Sequence, residues 1–250
     1  MGVDIGSSTS KCVILRDGET ICAASVLQGG AGTSAPERAV DSALSEAGVV
    51  LDDIDSIAST GYGRNTFSIA NITFSELSCH ARGARFLSPD ARTVIDIGGQ
   101  DCKVMQLDDN GRLDNFAMND KCAAGTGRFM EVMSRILEIG LSEMAQYSEQ
   151  AESIIEITST CTVFAESEII SQLSKGADKH ALVAGIHRSV AVKAASLAKR
   201  MTVTAPVFFS GGVSKNAGVM SALEHELGVE VRTDDRAQLA GALGAALLSV

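Results

Sequence analysis

Near the start of the chain, hydrophobic residues form short runs that are separated by glycine-containing turns. Such runs predict strands, and the intervening Asp17-Gly18 pair is typical of a hairpin turn. The same arrangement returns from residue 93, with Asn110-Gly111 in the place of the hairpin turn. The predicted strands of the two sets are 1–5, 11–15 and 20–26, then 93–97, 103–107 and 113–118. This repetition predicts two lobes of similar construction.

Helical spacing of apolar residues accounts for most of the remaining chain. The predicted helices are 35–47, 75–87, 127–138, 142–150, 163–174, 178–200, about 216–227, and 237–250. Short buried strands are predicted at 54–59, 207–209 and 229–232. Together these elements predict an α/β fold. We expect lobe I to span 1–90 with the C-terminal helix 236–250 returning to it, and lobe II to span 91–235.

Composition narrows the function classes. The formal net charge of −10 argues against nucleic acid as a partner, because no basic stripe is available to neutralise phosphates. We find no run of about 18 apolar residues and no basic-then-apolar leader, so we expect no membrane association and a cytoplasmic location. In that setting the 6 cysteines are expected to be reduced thiols.

The first glycine turn carries a candidate phosphate site. An acidic residue at a strand end could hold Mg²⁺ through water, and a glycine lets the backbone approach a polyphosphate. Turn N–H groups and hydroxyls can then donate hydrogen bonds to phosphate oxygens. The alternative is a plain hairpin turn. The candidate residues are Asp4, Gly6, Ser7, Ser8, Thr9 and Lys11.

Two later segments complete a nucleotide-binding pattern. Asp96, Gly98, Gly99 and Gln100 repeat the acid and glycine turn and add an amide that can orient a water. A third segment ends a strand and begins a helix, where a glycine pair lets a flat base lie against the backbone. Its candidate residues are Gly211, Gly212, Val213 and Asn216. In this order the three segments resemble the phosphate-1, phosphate-2 and adenosine segments of the superfamily of actin, hexokinase and the heat-shock chaperone ATPases. That resemblance implies two actin-like (ribonuclease H-like) lobes with a nucleotide cleft between them, and ATP or ADP with Mg²⁺ as ligands.

Two cysteines have a distinctive setting. Cys122 and Cys161 each precede a predicted helix, whose N-terminal end stabilises a thiolate. A [4Fe–4S] cluster usually takes four thiolates, and a two-fold dimer of this chain supplies four on its axis. A zinc site of the same ligand type is the alternative, although zinc cysteines usually come in close pairs. The glycine-rich stretch after Cys122, with Gly125, Thr126 and Gly127, is a further candidate nucleotide contact. The other four cysteines, Cys12, Cys22, Cys79 and Cys102, are interpreted as buried free thiols.

At this point the resemblance becomes specific to one family. The stretches NDKCAAGTGRF and STCTVFAESE, with TGYGRN, ELSCHA, DIGGQD and AGIHRS around them, resemble the BadF/BadG/BcrA/BcrD-type activator ATPases of 2-hydroxyacyl-CoA dehydratases, and most of all the branch that serves 2-hydroxyglutaryl-CoA. The resemblance implies an oxygen-sensitive homodimer in which Cys122 and Cys161 of both copies hold one [4Fe–4S] cluster. It also implies that reduced ferredoxin or flavodoxin donates an electron, which ATP hydrolysis drives on to the dehydratase component.

Three alternatives remain open from the sequence. The first is an activator of a different low-potential acceptor, such as a benzoyl-CoA reductase or another iron–sulfur protein. The second is a small-molecule kinase of the same superfamily, although no sugar-binding segment is evident. The third is a zinc-bridged regulatory ATPase dimer. The roles of the TGYGRN loop, and of Lys121 and Arg128 beside Cys122, are left open between a functional contact and ordinary surface structure.

Overall fold

The computed structural model describes residues 1–159 and 161–250. The chain divides into two compact units. Unit 1 contains 1–92, 105–115 and 234–250, and unit 2 contains 93–104 and 116–233. The segment 105–115, which belongs to the second set of predicted strands, therefore groups with unit 1.

Unit 1 is built on a five-stranded sheet with the order β3-β2-β1-β4-β5. Its strands are β1 (Gly2–Ile5), β2 (Thr9–Arg16), β3 (Thr20–Gln28), β4 (Ala58–Thr60) and β5 (Ile72–Thr73). Strands β1, β2 and β3 are antiparallel neighbours, whereas β4 pairs parallel with β1. The turn between β2 and β3 places Asp17 and Gly18 at positive φ, as an Asp-Gly hairpin requires.

Three helices cover this sheet: α1 (Ala35–Ala47), α2 (Glu76–Leu87) and α8 (Ala240–Leu248). Buried residues of β1 and β2 pack with Ala39, Val40 and Ala43 of α1 in one apolar cluster. Val13 packs instead with Ala242 and Leu243 of α8. Because successive residues of β2 enter different clusters, the strand is buried on both faces, as its position inside the sheet requires.

The second sheet has the order β10-β9-β6-β7-β8. Its strands are β6 (Thr93–Ile97), β7 (Cys102–Leu107), β8 (Leu113–Asn119), β9 (Val207–Ser210) and β10 (Val231–Arg232). The helices of unit 2 are α3 (Gly127–Leu137), α4 (Met144–Glu149), α5 (Thr162–Ser174), α6 (Lys179–Ala198) and α7 (Ala217–Leu227). Apolar residues of α3, α6 and α7 form one core with β6 and β9.

Most predicted elements are present, and the differences have physical causes. Strand β4 is shorter than the predicted 54–59, because residues 51–53 form a 3-10 turn and pairing with β1 begins only at Ala58. The last helix begins at Ala240, after a 3-10 turn at 237–239. The two-residue strand β5 is too short to leave a periodic signal, and the sequence did not predict it.

Helix α6 bears on the expectation that no segment is apolar enough to cross a membrane. It has 20 residues and a mean hydropathy of 1.2, which by length and composition is enough to cross a membrane. However, 72% of its apolar window is buried inside the protein. Its apolar residues pack against β6, β9 and α7 in the core of unit 2. Its composition is therefore that of a buried core helix.

Candidate nucleotide and cysteine site

In unit 1, the phosphate-1 turn is organised around a paired acid and lysine. Asp4 is only 2% exposed, and the Nζ atom of Lys11 lies 3.0 Å from its Oδ2 atom. The two residues face each other across β1 and β2, so the strand register brings them together. The Gly6 N–H donates to the Thr9 carbonyl at 3.0 Å and closes the turn. The Ser7 side chain is exposed at the tip of this turn.

The loop TGYGRN packs against the carboxylate of Asp4. Gly61 has a φ of +86°, and a Cβ atom there would lie 2.4 Å from the Oδ1 atom of Asp4. The N–H of Gly63 donates to the Ile5 carbonyl at 2.9 Å. This loop, whose role the sequence left open, is part of the wall behind Asp4.

Unit 2 repeats the geometry of this turn with different residues. The Gly98 N–H donates to the Asp101 carbonyl at 3.0 Å, as Gly6 does to Thr9. The Nζ atom of Lys103 lies 3.6 Å from Oδ2 of Asp96 and 2.7 Å from Oδ2 of Asp101. Asp96 and Lys103 are both buried. The ammonium group thus lies between two carboxylates.

Lys103 is a residue of this site that the sequence interpretation missed. The signal that points to it is spacing, because Lys103 follows Asp96 at the same distance as Lys11 follows Asp4. In a repeated strand–turn–strand unit, equal spacing puts the lysine opposite the acid both times. The predicted water-orienting residue of this turn, Gln100, has an exposed side chain.

The adenosine segment contacts the phosphate-2 segment directly. The Ser210 hydroxyl, at the end of β9, donates to the Oδ1 atom of Asp96 at 2.9 Å. Gly211 has a φ of +85°, and a Cβ atom there would lie 2.3 Å from the Ile97 carbonyl oxygen. Only glycine fits such a conformation without strain. The next residues, Gly212 and Val213, form a 3-10 turn that leads to the start of α7.

Asn216 has a structural role in the same segment. It is the N-cap residue of α7, and its side-chain oxygen accepts a hydrogen bond from the Val219 N–H at 3.0 Å. Its amide is therefore partly engaged in capping. The same helix start lies against His187 of α6, since a Cβ atom on Gly218 would approach the His187 Nδ1 atom to 2.3 Å.

Backbone hydrogen bonds connect the phosphate-2 turn to helix α3. The Gly127 N–H donates to the Gly98 carbonyl at 2.9 Å, and the Arg128 N–H donates to the Gly99 carbonyl at 2.8 Å. These are the first two residues of α3. Because the Gly127 N–H is used inside the protein, its predicted contribution to nucleotide binding does not come from this donor. Two backbone hydrogen bonds therefore join the phosphate-2 turn to the start of α3.

The two distinctive cysteines differ in their relation to the helices. Cys161 is the N-cap residue of α5 and is exposed, and the neighbouring Thr160 lies outside the described residues. Cys122 is half-buried and precedes α3 by several residues, without capping it. The cap is Thr126, because Gly125 takes a φ of +93° and the Thr126 hydroxyl donates to the Ala123 carbonyl at 2.6 Å. A tight turn therefore separates Cys122 from its helix.

A third side chain lies near both cysteines. Burial lowers the pKa of Lys193 in α6, and negative charge at Cys122 and Cys161 opposes this shift. In the described part of the chain the Lys193 Nζ atom is buried and has no hydrogen-bond partner. The two cysteines thus share one cationic neighbour.

The remaining cysteines mostly match the expectation of buried thiols. Burial raises the pKa of Cys12, Cys79 and Cys102 to about 12, so these thiols are inert at neutral pH. Cys22 differs, because it is only half-buried on β3, which is an edge strand of its sheet.

Comparison with known proteins finds relatives that match nearly the whole chain. An activating ATPase of (R)-2-hydroxyglutaryl-CoA dehydratase from Acidaminococcus fermentans is 53% identical over 248 residues, which cover 99% of this chain and 95% of that protein. The structure of the 2-hydroxyisocaproyl-CoA dehydratase activator from Clostridium difficile with bound ADPNP has a TM-score of 0.97 and 51% identity, and the match covers 99% and 92% of the two chains.

A more distant structure shares only the fold. A ROK family glucokinase from Streptomyces griseus has a TM-score of 0.61 at 14% identity, with 99% of this chain and 97% of that chain covered. The predicted α/β fold with two actin-like lobes is thereby confirmed. Residues 1–249 match the BadF/BadG/BcrA/BcrD ATPase family. The family resemblance predicted from the cysteine motifs is confirmed, and the chain belongs to the BadF/BadG/BcrA/BcrD ATPase family.

Proposed function

We propose that this ATPase is a one-electron donor that activates a 2-hydroxyacyl-CoA dehydratase, and that it works as a homodimer holding one [4Fe–4S] cluster. In this proposal the lobes are 1–90 with 236–250, and 91–235. The observation that carries the proposal is the pair of hydrogen bonds from the start of α3 to the Gly98 and Gly99 carbonyls. They connect a phosphate turn to the segment that contains Cys122.

Each acid turn would take part in nucleotide binding. Asp4 and Asp96 each lie within ion-pair distance of a lysine, which competes with a metal ion for direct contact with the carboxylate oxygens. Mg²⁺ gives up its water ligands reluctantly, and carboxylates of this kind suit a hydrated ion. Gln100 is exposed and would orient the water that attacks the γ-phosphate. Lys11 and the Ser7, Ser8 and Thr9 segment would contact phosphate oxygens.

The cysteine region fits an anionic metal group. A buried ammonium with no hydrogen-bond partner among the described residues belongs to Lys193, whose aliphatic part lies across the turn after Cys122, and it offers a positive charge to a negative ligand. When bound, a [4Fe–4S] cluster supplies a one-electron carrier. Each chain would contribute Cys122 and Cys161, and a second copy would contribute the other two thiolates.

The surface beside Cys161 supports a dimer at this position. Val163 and Phe164, two and three residues after Cys161 in α5, are 67% and 68% exposed. Large apolar side chains exposed together are typical of protein–protein contacts. A second copy of the chain placed over them would bring its own cysteines close to the same point.

ATP binding would act on this region through α3. A nucleotide phosphate that moves the Gly98-Gly99 turn would pull on Gly127 and Arg128, and in a two-fold dimer both α3 helices would move together. The two chains would thereby change the exposure of the thiolate ligands and pass the electron to the dehydratase. By linkage, a nucleotide that shifts the reduction potential must have its own affinity shifted by reduction to the same degree.

The test begins with iron content. Anaerobically purified protein should carry about four irons per dimer, the content of one bridging [4Fe–4S] cluster. Cys122→Ala and Cys161→Ala should each lose this iron, whereas Cys22→Ala, at a half-buried thiol outside the site, should retain it. Zinc in place of iron, or full iron in either site variant, would contradict the proposal.

The coupling between nucleotide binding and reduction potential and the identity of the electron acceptor need separate measurements. The reduction potential should differ between nucleotide-free, ADP-bound and ATP-analogue-bound protein, and identical potentials would rule out gating by ATP. An anaerobic pull-down identifies the acceptor. Recovery of a 2-hydroxyacyl-CoA dehydratase supports the proposal, and recovery of a benzoyl-CoA reductase instead supports the alternative. Reduced ferredoxin and flavodoxin are then compared as electron donors.

A further inference from the structure

Among the described residues near Cys122, Lys193 has a buried ammonium group. Lys121 and Arg128, the basic residues beside Cys122 in the sequence, are both exposed to solvent. Arg128 pairs with Glu131 at 3.1 Å on the surface of α3. Exposed charges of this kind are screened by salt and contribute little to a nearby site. Lys193, which comes from α6, differs in position and in burial.

The Lys193 side chain is held in place along its length. A Cβ atom on Gly125 would lie 3.1 Å from both Cβ and Cδ of Lys193, so the aliphatic part lies across the turn that follows Cys122. The Nζ atom is 5.3 Å from the centroid of the Phe129 ring, within cation–π range. Among the described residues Nζ has no hydrogen-bond partner. The ammonium is thus fixed between α6 and the first turn of α3.

Such a placement is unfavourable for a cation unless an anion compensates it. The aliphatic part of Lys193 lies across the turn that follows Cys122, which with Cys161 is proposed to hold the cluster. In the described part of the chain its ammonium group has no hydrogen-bond partner. A group that carries negative charge at these cysteines would supply the missing counter-charge.

We propose that Lys193 is a positioning residue that sets the reduction potential of the cluster held by Cys122 and Cys161. This inference rests on the proposed function. Reduction adds one electron from an external reductant to a cluster that is already anionic with four thiolates. A fixed positive charge stabilises the reduced form more than the oxidised form, and a dimer would provide two such charges.

The test is an anaerobic redox titration of Lys193→Met, followed by electron paramagnetic resonance. We expect the reduction equilibrium to become at least tenfold less favourable, which is about 59 mV for one electron. Lys193→Arg, which keeps the charge, should restore most of the original potential. Lys199→Met is the matched control, because it removes an exposed lysine at the end of the same helix and should leave the potential unchanged.

Each outcome of the titration either supports or contradicts the role proposed for Lys193. Lys193→Met that retains iron at the original potential, or an equal shift in Lys199→Met, would overturn the inference. If Lys193→Met loses iron while Lys193→Arg retains it at the original potential, the charge is required and the inference stands. If both lose iron, shape and not charge matters, and the inference fails. Absence of iron from the unaltered protein contradicts the proposed function itself, so the two failures are distinguishable.

Discussion

A buried histidine makes the stability of this protein depend on pH. His187 in α6 is fully buried, and neither ring nitrogen has a hydrogen-bond partner among the described residues. Burial lowers its pKa from 6.5 to about 4, and no charged group contributes to the shift. The neutral ring is therefore the form that the folded protein accommodates. It lies against the start of α7, beside the adenosine segment.

The sign of the effect follows from proton binding. Between pH 6.5 and about 4 the unfolded chain binds a proton at His187 that the folded chain does not. Acidification therefore favours unfolding, and the stabilisation that is complete above pH 6.5 is lost as the pH falls toward 4. At pH 5.0, with the two pKa values given, the loss from this one group is about 2 kcal/mol.

The assay is urea unfolding of cluster-free protein, followed by circular dichroism at pH 7.5 and 5.0. Carboxylates also titrate over this range, so the informative quantity is the difference between variants. His187→Leu should lose about 2 kcal/mol less than the unaltered protein on acidification, because the titrating group is gone. His225→Gln, at an exposed position on α7, is the control and should behave like the unaltered protein. An equal pH dependence in His187→Leu and the unaltered protein would refute the reasoning.

Three further predictions concern the site. Lys103→Met should destabilise the protein in urea by about 3–5 kcal/mol, because it leaves buried Asp96 without its cation, and it should slow ATP hydrolysis; unchanged stability would contradict this. Gly211→Ala should weaken ADP binding at least tenfold in calorimetry, since its Cβ atom would lie 2.3 Å from a carbonyl oxygen. Gly228→Ala, with a positive φ but nothing within 4 Å, is the control. Glu168→Gln should speed iron loss to a chelator, because this carboxylate accepts two backbone N–H bonds ahead of Cys161.

The fold was largely predictable because its signals are local. Asp17-Gly18 and Asn110-Gly111 mark hairpins, and Pro36 marks the first turn of α1, so these elements begin close to where periodicity places them. Strand β5 could not be predicted, since two residues have no period and its pairing with β4 is a long-range contact. The shortened β4 has the same origin, because its register with β1 decides where pairing begins.

The parts of the candidate site that are formed by backbone turns could be predicted from the sequence. The parts that depend on side chains distant in the sequence could not. Glycine turns after strands indicated three nucleotide segments, and the cysteine motifs indicated the family. Lys193 was missed because it lies on an apolar helix, distant in sequence from either cysteine, and nothing in its surroundings distinguishes it from a solvated lysine. The start of α3 was predicted at Gly127, but the positive φ of Gly125, which forms the tight turn between Cys122 and the helix, could not be predicted from the sequence.

The two acid–lysine pairs differ in burial. This difference bears on whether a displacement of each turn would be transmitted to the neighbouring helix. The Lys11 side chain is 12% exposed and faces Asp4, whereas the Lys103 side chain is 2% exposed and lies between Asp96 and Asp101. A buried ammonium shared by two carboxylates resists displacement, because moving any one charge leaves the others unpaired in a medium of low polarity.

The more constrained turn is also the one that contacts α3. Its Gly98 and Gly99 carbonyls accept the hydrogen bonds from Gly127 and Arg128. A flexible turn would absorb a phosphate-driven displacement by changing its own dihedral angles, whereas a turn fixed by buried charges passes the displacement on to the helix. The burial of Lys103 and the position of the cysteines in unit 2 are therefore consistent with the proposal: the acid turn with the buried ion pair is the one that hydrogen-bonds to the helix after Cys122.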